Sequence, residues 1–106
     1  MSADKNQQRS VVVIQGSIDG SRSQALHKQL SSGLQQAREQ GHKELLVAWE
    51  NPGDIDGIGL ALLLATYLEF KNEGGRICLR GFSEKHQELL KITRTDQLFV
   101  WQDEAA

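Results

Sequence analysis

Asp56, Gly57 and Gly59 stand where a short apolar strand should give way to a helix. An acid and free backbone at such a junction can hold a cation, cradle a phosphate or dock a partner. The segment from Asp54-Ile-Asp56 opens like a calcium loop. Its twelfth position, which needs a bidentate acid, is Ala65. Gly57-Ile-Gly59 lacks the third glycine of a dinucleotide fingerprint, and no Gly-Lys-Ser/Thr follows. His27, His42 and His86 are scattered, with no pair at metal spacing and no Ser–His–Asp or Cys–His set, so solvated surface histidines are the expectation. No metal, no cofactor and no enzymatic activity is expected.

Asp19 is the second acid of interest. Like Asp56 it follows an isoleucine at the end of an extended run. Each can be a helix cap or turn acid satisfying free N–H groups. Alternatively, both line one patch, because loops after adjacent parallel strands emerge on the same side of a sheet. Catalysis or ligand binding by the two acids would need a pocket between them, and no nucleophile or base accompanies them. Trp49, at the end of its strand, either pads the core rim or anchors an interface.

The elements that position these residues alternate. Val11-Val-Val-Ile14, within Ser10 to Gln15, reads as a buried β-branched strand. Gly16 to Gly20 reads as a turn or short extended piece. Ser21-Arg-Ser-Gln24 has capping-box spacing for a first helix carrying Leu26, Leu30, Leu34 and Ala37, stopped by Gly41. Glu44 to Trp49 is apolar enough for a central strand covered on both faces. A second helix runs from about Gly57 to Asn72, and Gly74-Gly75 ends it. Arg76 to Phe82 is a third strand. Ser83 caps a third helix with Leu89, Leu90 and Ile92, and Leu98 to Trp101 is a last short strand or extended tail. The order predicts one α/β domain over residues 1–106, core about 10–101, with a parallel or mixed β-sheet of about four strands and helices packed on it.

Composition agrees. The 106 residues are 39% hydrophobic and 25% charged, with net charge -2. That charge makes no case for nucleic acid or an anionic membrane. The lone Cys78 excludes an internal disulfide and reads as a small core residue. Met1 to Gln8 is polar and does not read as a secretory leader, and Leu60 to Ala65 is far shorter than the ~20 residues of a membrane span. A cytoplasmic protein without membrane insertion is expected, with frayed ends over Met1 to Gln8 and Gln102 to Ala106.

The second helix is apolar on too many sides. Ile58, Leu60, Ala61, Leu62, Leu63, Leu64, Ala65, Tyr67, Leu68 and Phe70 exceed the stripe of roughly 100° that packing on one sheet face requires. Neighbours can bury the surplus, or its first two turns can dock a protein.

Three segments together resemble the sulfate transporter and anti-sigma-factor antagonist (STAS) domain family. Gly16-Ser-Ile-Asp19 is similar to its turn before helix one. Ile55-Asp-Gly-Ile-Gly-Leu60 is similar to its hydrophobic-Asp-Ser/Thr-x-Gly-Leu junction. Gly74-Gly-Arg-Ile-Cys-Leu-Arg-Gly81 is similar to its Gly-Gly turn and strand. The resemblance implies a STAS-like, anti-sigma-factor-antagonist-like α/β fold and a noncatalytic role in bacterial partner switching, a form of signal transduction and transcription regulation. In family antagonists a partner serine kinase phosphorylates the Ser or Thr after the junction aspartate, and the unphosphorylated antagonist binds that kinase. Gly57 occupies that phosphosite and has no hydroxyl. The partner surface implied here comprises Asp19, Trp49, Asp56, Gly57, Ile58, Gly59, Leu60 and Leu63. The partner would be an anti-sigma factor/serine kinase. The alternative is the ATPase of an ABC lipid-transport system, because Gly59-Leu-Ala-Leu-Leu-Leu64 is similar to that system's small cytoplasmic STAS subunit. Ala48-Trp49-Glu50 departs from the family's Asp-Leu-Ser, and the family's first strand is short or missing in polar Met1 to Gln8. Homodimerisation stays open.

Overall fold

The computed structural model describes residues 8–102; the ends expected to fray lie largely outside them. Four strands, β1 (Ser10–Ile18), β2 (Glu44–Ile55), β3 (Arg76–Arg80) and β4 (Val100–Trp101), alternate with three helices, α1 (Ser23–Gln40), α2 (Gly57–Lys71) and α3 (Glu84–Ile92). The strand order is β1-β2-β3-β4. Every pairing is parallel, which settles the choice between parallel and mixed sheets. Right-handed crossovers between successive neighbours put all three helices on one face. Val12, Ile14, Val47, Trp49 and Leu79 of the sheet share a core there with Leu26 and Leu30 of α1, Leu63 and Phe70 of α2 and Leu90 of α3.

β1 differs from the buried strand expected. Among the described residues it is an edge strand with alternating burial: Val12 and Ile14 face the helices, whereas Val11 and Val13 are exposed. It also continues through Gly16 to Ile18, so the short extended piece and not the turn is formed there, and β2 runs on from Trp49 to Ile55. The two extensions pair with each other, Gly16 with Pro52 and Ile18 with Ile55, after an irregular register at Gly16. Leu45 to Trp49 of β2 are buried throughout, as a central strand should be. On the face away from the helices the Arg9 guanidinium pairs with Glu44 at 2.9 Å and donates to Gln102 Oε1 at 2.9 Å. Arg9 precedes the first strand and Gln102 follows the last, so this side chain spans the outer face of the sheet.

The caps are partly as read. Gly41 ends α1 with φ 72°, and Ser83 caps α3. The box expected at Ser21 and Gln24 does not form. Asp19 instead caps a 3-10 turn, Gly20–Arg22, through the Ser21 N–H, and α1 begins only at Ser23 without a side-chain cap. An acid at the strand end reaches the first free N–H groups before Ser21 can.

Candidate functional site

Because Ile18 pairs with Ile55, the chain leaves β1 and β2 at adjacent positions, and Asp19 and Asp56 follow directly. The two acids are thereby set side by side. Asp56 caps α2: its Oδ1 accepts from the Gly59 N–H at 2.9 Å, and its Oδ2 accepts from the Gly20 N–H at 3.2 Å. One carboxylate thus holds the start of α2 to the turn that Asp19 caps. Asp19 Oδ1 accepts from the Ser21 N–H at 3.1 Å and from the Ser21 hydroxyl at 2.7 Å. The Gly59 and Gly20 N–H groups favour the ionised form and lower the Asp56 carboxyl below its ordinary value. Both carboxylates are occupied as backbone caps, and they also line one edge of the sheet. The two readings of the sequence coexist.

Gly57 and Ile58 lie exposed between these acids. A Cβ at Gly57 would meet nothing within 4 Å, whereas one at Gly59 would lie 1.9 Å from the Ile18 carbonyl oxygen. Gly59 is therefore the glycine that lets α2 approach β1, and Gly57 faces open space. Ile58 is 55% exposed, and its Cδ1 end lies over Gly20. The result is a small exposed patch with an apolar centre, flanked by two carboxylates and without a hydroxyl at position 57.

Leu60, Leu63 and Trp49, expected to share in docking, are core residues with 5%, 1% and 3% exposure. Leu60 and Leu63 sit on the stripe of α2 that meets the sheet. Trp49 packs edge-on against Phe82, with centroids 4.8 Å apart, and its indole N–H donates to the Gly16 carbonyl. The apolar surplus of α2 divides accordingly. Leu62 and Leu64 are half-buried, while Ile58 and Leu68 stand in solvent.

Two positioning residues are not evident from the sequence. The Arg22 guanidinium donates to the Ser17 carbonyl at 3.1 Å and also to the Gln15 carbonyl, pinning the 3-10 turn to the irregular end of β1. His86, expected to be solvated, lies against the Trp49 ring at 4.3 Å between centroids. Its Nδ1 accepts from the Ser83 N–H at 3.1 Å, so Nε2 carries the proton toward the Gly53 carbonyl at 3.0 Å. Ser83 and His86 thus meet as a helix capping box, not as a nucleophile and base. Among the described residues no group of three or more His, Cys, Asp or Glu could hold a metal ion, and no helix is long and apolar enough to cross a membrane.

A family model described as "Mlab, STAS domain" matches residues 1–100. Comparison with curated proteins gives no match. Among solved structures, the chain is similar to the anti-sigma factor antagonist SpoIIAA in its unphosphorylated form, with 16% identity, TM-score 0.67, and coverage of 92% of this chain and 82% of that one. It is also similar to the phosphorylated form, described as a Bacillus cell fate determinant, with 16% identity, TM-score 0.64, and coverage of 92% and 85%. At this identity the likeness establishes the fold.

Proposed function

Since the chain belongs to the STAS domain family, we propose that it is a noncatalytic binding module of bacterial partner switching, an anti-sigma-factor-antagonist-like protein that acts in the cytoplasm. It docks a protein through the patch formed by Asp19, Asp56, Gly57 and Ile58. The observation that carries this reading is the exposed Ile58 at the start of α2, between two carboxylates already committed to capping. Gly57 makes the module constitutive at this position. A phosphate there would bring up to two negative charges onto the patch, and glycine cannot accept one. The partner is a serine kinase of the anti-sigma type.

One observation favours a second reading. The matching family model carries the description Mlab, and Gly59-Leu-Ala-Leu-Leu-Leu64 is similar to the small STAS subunit of an ABC lipid-transport system. The same patch would then contact the transporter's ATPase. Parallel pull-downs with wild-type protein and Gly57→Glu separate these readings. A serine kinase captured by the wild type and lost with Gly57→Glu supports partner switching. A transporter ATPase with the same dependence supports the second reading. Equal capture by both baits removes the patch from docking altogether.

A further inference from the structure

β1 forms one edge of the sheet, and among the described residues no strand pairs with its outer side. Among the described residues the Val13 carbonyl meets only the Gln29 side-chain amide, at 3.4 Å, beyond the usual hydrogen-bond range. That contact shows the Val13 backbone facing outward, and the two-residue period of a strand turns Val11 the same way. Exposed edges are normally blunted by a charge, a proline or a bulge. Val11-Val-Val-Ile14 has none of these, and the register becomes irregular only after Gln15. The Val11 and Val13 side chains are 46% and 41% exposed. Between β1 and α1 lies an open groove of about 600 Å³, lined by Val11, Val13, Lys28, Gln29, Ser32 and Gln36.

We propose that this edge is a homodimer interface, in which the β1 strands of two copies pair antiparallel and join two four-stranded sheets into one. Three features favour a second copy over an unrelated segment. Pairing about a twofold axis at Val12 sets Val11 of one copy opposite Val13 of the other, which covers both exposed valines. Along α1, Gly33 lies against Val12 and Gln29 against Val13. The same axis therefore brings Gln36 of the second copy toward Gln29, so that uncharged amides face each other across the groove. The stripe of α1 beside the groove is also nearly uncharged. Arg22 is held by the Ser17 carbonyl, and Lys28 is the remaining charge. Lys28 then faces the Gln36 end of the other copy instead of its own equivalent, so no like-charge pair forms. The dimer requires nothing of whichever protein docks at α2.

The test is sedimentation equilibrium of the full chain from micromolar to millimolar concentration, with amide hydrogen exchange over the same range. The expected result is a mass rising toward twice the 11.8 kDa chain, together with concentration-dependent protection of the Val11 and Val13 amides. Val13→Pro removes an outward N–H without touching the β1–β2 ladder, and Val11→Lys places a charge on the edge. Both variants should remain monomeric while keeping a cooperative thermal transition. A single-chain mass throughout overturns the proposal. So does a dimer that persists in Val11→Lys or leaves both amides unprotected. Protection of both amides in the monomer, independent of concentration, would assign the edge to the chain's own residues and overturn it equally.

Discussion

Gly57 and Gly59 lie two residues apart on the first turn of α2 and should respond to alanine with opposite signs. At Gly59 the new Cβ falls 1.9 Å from the Ile18 carbonyl oxygen and 2.5 Å from its carbon. Both are backbone atoms of β1, so no flexible side chain can move aside. The helix start must shift by about an ångström, an overpacking cost of about 1–3 kcal/mol. The shift also breaks the Asp56 cap, worth about 1 kcal/mol. Exchanging glycine for alanine within a helix returns about 1 kcal/mol. The net loss is about 2 kcal/mol, a fall in Tm of about 8–16 °C for a domain of this size. At Gly57 the Cβ meets nothing within 4 Å. There only the propensity gain remains, and Tm should rise by up to about 8 °C. Thermal unfolding followed by circular dichroism measures both. A Gly59→Ala protein as stable as wild type, or a Gly57→Ala protein less stable, would refute the assignment of close approach to one glycine and open space to the other.

Further outcomes follow from burial and charge. Leu63→Ala should cost about 2–5 kcal/mol in denaturant unfolding, because the side chain is 1% exposed, whereas Ile58→Asn should cost less than about 1 kcal/mol. The Asp56 carboxyl titrates below its ordinary value of 3.8 in the fold, so its stabilising effect is full above that pH and is lost as pH falls through the lower folded value. Asp56→Ala should therefore flatten the acid limb of the stability curve, leaving the parts due to Glu73, whose carboxyl is held low by hydrogen bonds from Arg38, and to Glu44, where hydrogen bonds and the nearby Arg76 and Arg9 outweigh burial. Arg38 bridges Glu69 at 2.8 Å and Glu73 at 2.6 Å on the surface between α1 and α2. Arg38→Gln should lower stability only slightly, with the difference shrinking as salt rises.

The parts legible in the sequence are those where local pattern and tertiary demand agree. Alternating apolar runs, Gly41 after α1 and Ser83 before α3 each give one answer at both levels, and the four strands and three helices follow. The Ile-Asp pairs at positions 18–19 and 55–56 also pointed to one sheet edge. The register that makes them neighbours depends on the extension of β1 and β2, which sequence leaves open as turn or extended piece after Gly16 and does not carry past Trp49. Periodicity could not show that β1 lies at an edge, so Val11 and Val13 read as buried. Nor could it apportion the surface of α2. Leu60 and Ile58 look alike in a helix apolar nearly all round, and only the position of the sheet sends one to the core and the other to solvent. His86 and Arg22 act through contacts with the Gly53, Ser17 and Gln15 carbonyls, which carry no side-chain signal.

The central claim is that the start of α2 is a docking surface. Its most direct test is calorimetric binding of the captured partner ATPase or kinase to wild type, Ile58→Asn and Gly57→Glu, with Tm measured for each. The account predicts that both substitutions weaken binding at least about tenfold, some 1.4 kcal/mol, while each protein still unfolds cooperatively near the wild-type temperature. Unchanged affinity in both folded variants would contradict it and move the binding surface elsewhere on the domain.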